Sequence, residues 1–258
     1  MSIEANLKKI VTIDTTIKLN PRLHTIFRLD GVNFSRYLKQ LELNKPYDVR
    51  LTNSIMETGI ECFNTFAFSL CYVGYDEIIY YLKPVTKEEE DNGIEYDFSG
   101  RIQKMVSMLA GKVSVIFYAK LIKYFSYENL LKDFPYWECK VLQFNNFNEI
   151  SETLHNRMGS TLKNSRTLFI NNYLQGTDLS SKDAIKKIQI EKQIDFNNDV
   201  SDNNKFGCII TYILTEFEKN IKFENNEEFK LIKFIKKFPI CQNLNQSDIL
   251  NIKYESLL

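Results

Sequence analysis

The sequence has little of what zinc centres and secreted frameworks are built from. Its 258 residues include only two histidines, His24 and His155, so a histidine-rich metal site is excluded and a metal would have to be held by carboxylates. The five cysteines are scattered and form no C-x-x-C pair, which excludes a zinc knuckle and a disulfide framework and indicates a reducing compartment. These absences favour magnesium over zinc.

Long apolar runs and an excess of one charge are also missing. No run approaches the roughly 20 apolar residues that a membrane span needs, and the N-terminus, MSIEANLKKIV, has neither a signal-peptide core nor an arginine-rich transit pattern. We therefore expect a soluble, cytoplasmic protein with no membrane partner. Lysine plus arginine number 33, as do aspartate plus glutamate, so a nucleic acid would have to bind a local basic patch.

What is present is the composition of a folded domain, with 44% hydrophobic and 26% charged residues. The charge run KEEEDNG at 87–93 and the polar stretch 195–205 are expected to be loops. The remaining elements, predicted from the apolar periodicity, are a strand over 22–29, helices over 33–41 and 50–70, a hairpin of strands 70–73 and 78–82, a helix over 98–125, a strand over 140–144, helices over 148–174 and 180–190, and a strand over 207–214.

This order of elements predicts an α+β fold with an antiparallel sheet and helices on one face, followed by a helical C-terminal extension. Its connectivity is that of a polymerase or cyclase palm. In a palm, one carboxylate ends the first strand and others lie on a neighbouring hairpin.

Three acidic residues occupy those positions. Asp30 ends the first predicted strand, and Asp76 and Glu77 lie at the turn of the hairpin. If the strands are neighbours, the carboxylates could bridge two cations about 3.5–4 Å apart, as in-line nucleotidyl transfer requires. Gly31 would let backbone approach a metal or phosphate closely. On spacing alone, the same residues are also typical of ordinary turns.

Two basic residues lie one turn apart on the predicted long helix. Arg101 and Lys104 share a helix face and could present two cations to one polyanion. On spacing alone, two solvated side chains are an equal alternative.

The segments around these residues resemble, in order, the signatures of the tRNA-His guanylyltransferase superfamily. The resemblance spans roughly residues 22–214 and is most specific in the first half. The matching segments are RLDGVNFSRY at 28–37 for R-[IL]-D-G-x-x-F-x-R, LNKPYD at 43–48 for K-P-x-D, YVGYDEIIYYLKP at 72–84 for the Y-G-x-S-D-E hairpin, FSGRIQKMVS at 98–107 for the F-x-R-R-x-x-K helix, and Arg157 with Asn164 for W-R-x(6)-N.

The resemblance implies a palm-fold nucleotidyltransferase, usually a homotetramer, that activates a tRNA 5′ end with ATP or GTP and extends it with nucleoside triphosphates in the 3′-to-5′ direction. Two Mg²⁺ ions would be held by Asp30, Asp76 and the carbonyl of Gly31, with Glu77 as the third catalytic carboxylate. The other residues implied are the nucleotide contacts Gly31, Asn33, Phe34, Lys45, Asp48, Arg101 and Lys104, and the tRNA 5′-end contacts Arg157 and Asn164.

By the same resemblance, a palm-like catalytic domain is expected over 1–140. The rest of that domain, with a C-terminal tRNA-contacting region, is expected over 141–258.

The chain departs from the family pattern on the helix that carries Arg157. Residues 162–165 read LKNS, whereas members that add one guanylate to tRNA-His typically carry H-I-N-N. Val32, Ser35 and Tyr75 also replace the usual basic residue, histidine and serine. The three replacements bear on base preference and phosphate contacts. The absence of H-I-N-N favours repair of truncated tRNA 5′ ends, because relatives without that motif resemble template-dependent repair enzymes. The alternatives are a palm nucleotide cyclase or signalling-nucleotide synthase, and a non-catalytic tRNA- or nucleotide-binding relative.

Overall fold

The computed structural model describes residues 17–214 and, beyond them, 221–222, 228–229 and 233–239. Most of the predicted C-terminal tRNA-contacting region therefore lies outside the described residues. The strands are β1 His24–Gly31, β2 Leu70–Val73, β3 Glu77–Leu82, β4 Trp137–Phe144, β5 Cys208–Leu214, β6 Ile221–Lys222, β7 Glu228–Phe229 and β8 Lys233–Pro239.

Six of these strands form one sheet in the order β4-β1-β3-β2-β5-β8, and every neighbouring pair is antiparallel. The predicted α+β class, the antiparallel sheet and the hairpin of β2 and β3 are confirmed. The boundary expected between residues 140 and 141 falls inside β4, so one sheet spans both predicted segments.

The longest helices run beside this sheet. Within the described residues, none of the helices is both long and apolar enough to cross a membrane. The α-helices are α1 Phe34–Leu38, α2 Val49–Cys62, α3 Lys87–Asp91, α4 Ile102–Leu121, α5 Tyr127–Leu130, α6 Phe147–Tyr173, α7 Ser181–Lys192, α8 Phe196–Asp199 and α9 Asp202–Phe206.

Helices cover both faces of the sheet, whereas the order of elements in the sequence predicted them on one face. Phe27 and Leu29 face the core formed with α2 and α4, while Ile26 and Tyr72 face a second core formed with α6. The reason lies in β3, where residues 78–81 are all almost fully buried. Since successive side chains of a strand point to opposite faces, a strand that is apolar at every position needs a cover on both sides.

The two segments predicted as loops contain short helices. Residues 87–91 of the charge run form α3, and Thr86 and Glu89 form a reciprocal capping box at its start. The polar stretch 195–205 contains α8 and all but the last residue of α9, and the Asp195 side chain caps α8. Helical periodicity is hard to detect in elements of four or five residues.

Two predicted helices are shorter than expected. The helix predicted over 50–70 ends at Cys62. The one predicted over 98–125 begins only at Ile102, because Phe98 and Ser99 adopt left-handed backbone conformations, with φ of 55° and 51°.

A buried tyrosine fastens α6 to the sheet. The Tyr72 hydroxyl lies 2.7 Å from Thr161 Oγ1 on α6 and donates to the carbonyl of Phe206 at 3.1 Å. Tyr72→Phe is expected to lower the free energy of unfolding by about 1–2 kcal/mol, because both partners would be left buried and unpaired. Urea denaturation would measure this.

Tyr75→Phe is the matched control for that change. Within the described residues, the Tyr75 hydroxyl makes no hydrogen bond to protein, so its loss should leave stability nearly unchanged. Equal stability of the two variants would show that the Tyr72 hydroxyl does not fasten α6.

Candidate active site

The ends of β1 and β3 bring the predicted acidic residues together. Asp30 is paired in register with Glu77, and the amide of Gly31 donates to the carbonyl of Asp76 at 3.1 Å. The two strands are thus neighbours, as a shared carboxylate site requires. We call this edge, formed by Asp30, Gly31, Asp76 and Glu77, the carboxylate edge.

The carboxylate edge concentrates negative charge that is partly shielded from water. Asp30 and Asp76 are half-buried. Burial raises the pKa of Asp76 above its ordinary value, and the charges of Asp30 and Glu77 raise it further. Clustered carboxylates whose ionisation is unfavourable are stabilised by a bound cation.

The donor atoms at this edge fit Mg²⁺. In the part of the chain with described side chains, no group of three or more His, Cys, Asp and Glu residues forms a metal cage. Mg²⁺, however, is commonly held by one or two carboxylates together with substrate phosphates. Asp30 and Asp76 supply hard oxygen donors of that kind, and Gly31 brings backbone to the same place.

Glycine is required at position 31. A Cβ atom added there would overlap the ring of Phe34, so a larger residue would force either that ring or the chain next to Asp30 to move. The Phe34 ring itself is buried and packs against Trp137, with ring centroids 5.5 Å apart, and edge-on against Tyr75. Phe34 thus belongs to the packed core next to the carboxylate edge. Asn33, just before it, is exposed and left-handed with a φ of 50°.

Glu77 is bound by two arginines rather than left open to solvent. Its side chain is 3% exposed. One oxygen accepts a hydrogen bond from Arg28 Nε at 2.9 Å and the other accepts from Arg157 Nε at 2.7 Å. Arg28 also donates from Nη2 to Asp30 at 2.8 Å. The predicted third carboxylate therefore links β1 to α6 through two charge-assisted hydrogen bonds.

Arg28 is a site residue that was not predicted from the sequence, although the spacing along β1 indicates it. Arg28 and Asp30 are two residues apart on β1 and so point to the same face of the sheet. That face is the one covered by α6, which carries Arg157.

Both residues predicted to touch the tRNA 5′ end lie on α6. Arg157 is half-buried against Glu77, and that carboxylate raises the pKa of the guanidinium. Asn164 is exposed and lies seven residues further, about two helical turns along the same side. The structure brings Arg157, but not Asn164, into contact with the carboxylate edge.

The predicted K-P-x-D segment lies near the hairpin turn. Burial opposes ionisation of Asp48, but hydrogen bonds from the Arg50 side chain and from the amides of Asn44 and Arg50 outweigh it and lower the pKa of Asp48. The Asp48 carboxylate therefore serves as the N-cap of α2, whereas Lys45 is exposed. Burial raises the pKa of Tyr75, beside this segment, to about 12, with the charges of Asp76 and Asp48 adding to the effect.

Arg101 and Lys104 lie at the other end of the sheet. They lie at the start of α4, and in the segment just before that helix the Tyr96 hydroxyl donates to the carbonyl of Lys83, just past the end of β3. Glu77 begins that same strand, and six residues of strand span roughly 16 Å. Within one chain, the structure does not bring this predicted triphosphate-binding pair to the carboxylate edge.

Solved structures with a similar fold are known. A bacterial tRNA(His) guanylyltransferase (Thg1)-like protein in complex with ATP aligns with a TM-score of 0.69 and 24% identity, over 82% of this chain and 87% of that one. The tRNA(His) guanylyltransferase of Saccharomyces cerevisiae aligns with a TM-score of 0.63 and 21% identity, over 78% of this chain and 91% of that one. At these identities the likeness establishes the fold.

A relative is also found by sequence. An uncharacterized protein of Acanthamoeba polyphaga mimivirus is 32% identical over 102 residues, which are 39% of this chain and 34% of that protein. The match thus spans about a third of the relative's length.

A family model described as tRNAHis guanylyltransferase matches residues 7–145. That stretch is more than half of the 258 residues and contains the whole carboxylate edge. Members of the family are nucleotidyltransferases that act on tRNA, which is the enzyme class that the motifs predicted. The chain therefore belongs to the tRNAHis guanylyltransferase family.

Proposed function

We propose that this chain is a tRNA 5′-end nucleotidyltransferase, a 3′-to-5′ polymerase that activates a tRNA 5′ end with ATP or GTP and then adds nucleotides to it. The observation that carries the proposal is the meeting of Asp30 and Asp76 at the carboxylate edge, next to Arg157 of α6. Nucleotidyl transfer needs clustered acidic oxygens and a nearby cation for the phosphates.

Asp30, Asp76 and the carbonyl of Gly31 are the groups that would hold two Mg²⁺ ions. Bound there, the ions would supply activation of the attacking hydroxyl and neutralisation of the leaving pyrophosphate. Arg157 donates its Nε–H to Glu77, and its other N–H donors would bind a phosphate of the RNA end. Glu77, in turn, is proposed as the group that positions Arg157, because both its oxygens are engaged by guanidinium groups.

Repair of truncated 5′ ends is the activity that we favour. The basis is the sequence LKNS at 162–165, which lacks the histidine found where one guanylate is added to tRNA-His. A template-dependent enzyme would select the incoming nucleotide by base pairing rather than by a motif dedicated to one tRNA.

The test is to incubate the purified protein with Mg²⁺, all four nucleoside triphosphates and labelled RNA. Intact tRNA-His is compared with a tRNA that lacks its first 5′ nucleotide. Extension of the truncated tRNA supports repair, and guanylate added only to tRNA-His would replace it with the family's namesake activity. A soluble product from nucleotide alone, with no RNA extended, would favour a nucleotide cyclase or signalling-nucleotide synthase.

A homotetramer is part of the proposal, because Arg101 and Lys104 lie far from the carboxylate edge of their own chain. In a symmetric assembly, this pair can reach the edge of another copy. Variants Asp76→Ala and Arg101→Ala should each be inactive alone. After they are mixed and reassembled, about a quarter of wild-type activity is expected, since half of the sites keep Asp76 and half of those meet an intact Arg101.

The control for this complementation is a mixture of Asp76→Ala with Asp30→Ala, which both damage the same edge and should stay inactive. Sedimentation of the wild-type protein reports the number of chains. If the first mixture gains no activity in a verified mixed tetramer, Arg101 does not serve a neighbouring copy.

A further inference from the structure

A pocket lies between α6, α7 and α8, away from the carboxylate edge. It has a volume of about 320 Å³, enough for a phosphate group and its neighbouring sugar. The lining combines polar and basic side chains with apolar ones. It consists of Arg166, Ser181, Lys182, Ile185, Phe196 and Asn197.

Arg166 is the distinctive residue of this pocket. Its guanidinium carbon lies 6.0 Å from the ring centroid of Phe196, which is itself 1% exposed and belongs to the core between α6 and α7. A cation–π contact of this kind orients the guanidinium without using its N–H donors. Within the described residues, Arg166 makes no hydrogen bond and no ion pair, so its donors remain available at the pocket wall.

The residues that line the pocket include two cations, Arg166 and Lys182, and no acid. Lys182, on the pocket rim, has no ion-pair partner among the described residues. The Asp183 carboxylate accepts from the Ser180 hydroxyl at 2.6 Å, and that of Asp195 accepts from the amide of Asn197 at 2.8 Å. Both acids remain charged, but among the described residues neither forms an ion pair with Arg166 or Lys182. The lining residues themselves carry net positive charge, on a chain whose formal net charge is zero.

A path connects this pocket to the carboxylate edge across α6. Successive residues of a helix are rotated by about 100°, so Lys163 lies between Arg157 on one side of the exposed face and Arg166 on the other. Lys163 and Asn164 are exposed. An RNA chain that contacts Arg157 and crosses the exposed face of α6 would therefore pass Lys163 before it reaches the pocket.

We propose that the pocket of Arg166 and Lys182 binds a backbone phosphate of the RNA, at a nucleotide beyond the 5′ end that reacts at the carboxylate edge. Planar guanidinium groups bind phosphate through paired hydrogen bonds, and a lysine adds a point charge. This inference rests on the proposed function, since it takes RNA as the substrate. The site would hold the tRNA in register while nucleotides are added.

The test compares RNA binding by the wild type, the double variant Arg166→Ala with Lys182→Ala, and the control Lys187→Ala. Lys187 also lies on α7 but is ion-paired with Glu191. Fluorescence anisotropy measures the Kd for a labelled tRNA that lacks its first 5′ nucleotide, at several KCl concentrations. We expect the double variant to bind roughly tenfold more weakly and the slope of log K against log salt to fall by about 1, since one phosphate contact is lost. The control should match the wild type.

Lys182→Glu provides a second variant at an exposed position, so a folding defect of the double variant does not decide the result. Sodium tripolyphosphate, titrated into the same proteins, separates RNA phosphate from a free anion. Loss of tripolyphosphate binding with unchanged tRNA affinity would assign the pocket to a free anion and overturn the RNA assignment.

The failure of this inference and that of the proposed function are distinguishable. If the wild type extends truncated tRNA and the variants bind it with unaltered Kd and salt slope, the pocket is not an RNA contact and the proposed function stands. If the wild type neither binds nor extends tRNA, both are wrong.

Discussion

Asp76→Asn is expected to lower the rate of nucleotide addition by roughly 10²–10³-fold and yet to stabilise the metal-free protein. The rate falls because one of the two carboxylates proposed to hold the cations is lost. Stability rises because a half-buried charge beside Asp30 and Glu77 is removed. In a chain of this size, a gain of about 1 kcal/mol raises the melting temperature by roughly 2–4 °C. Single-turnover extension and thermal melting in EDTA measure the two effects.

The pH dependence of the stability effect follows from the raised pKa of Asp76. For a carboxyl whose folded-state pKa exceeds its unfolded value, the stabilising contribution is present at low pH and is lost as pH rises through the folded pKa. The gain from Asp76→Asn should therefore be largest at neutral pH and vanish in acid. Addition of Mg²⁺ should raise the melting temperature of the wild type more than that of the variant. A variant that is less stable than the wild type in EDTA at neutral pH would contradict the described charge arrangement.

Glu77→Ala is expected to have the largest effect on stability, a loss of about 3–5 kcal/mol in the free energy of unfolding. Glu77 is buried, and its removal leaves two half-buried guanidinium groups, those of Arg28 and Arg157, without their shared partner. Urea denaturation measures the loss. A double-mutant cycle between Glu77 and Arg157 isolates the energy of the link to α6.

Glu138→Ala is the matched control, because Glu138 pairs with Lys140 on an exposed strand edge. Such a surface pair contributes less than about 1 kcal/mol. The same comparison decides the role of Glu77. If Glu77→Ala is as stable as Glu138→Ala and instead raises the Mg²⁺ concentration needed for activity, Glu77 is a metal ligand rather than a positioning residue.

The carboxylate edge was predictable from the sequence because it depends on local order. Asp30 and Asp76 lie at the ends of strongly patterned strands, and a hairpin places its own strands side by side. Asp30 meets the hairpin carboxylates only if β1 and β3 are neighbours in the sheet. The motif resemblance predicted that adjacency, and the register of Asp30 with Glu77 confirms it.

Other features depend on contacts that no local pattern contains. The link from Glu77 to Arg157 joins residues 80 positions apart, and nothing in the spacing of acidic and basic residues reveals it. The position of Arg101 has a similar explanation. Its motif predicts a phosphate contact, but the direction of α4 across the sheet decides which end of the molecule carries it. The second covered face of the sheet could have been recognised, since residues 78–81 are apolar without alternation.

The most direct test of the central claim, nucleotide addition at an RNA 5′ end, uses a 5′-truncated tRNA whose 3′ end has been oxidised with periodate. Incorporation of a labelled nucleoside triphosphate into this blocked RNA is measured for the wild type and for Asp76→Asn. We predict Mg²⁺-dependent labelling by the wild type and almost none by the variant. Labelling that requires an open 3′ end, or that survives in Asp76→Asn, would contradict 3′-to-5′ addition at the carboxylate edge.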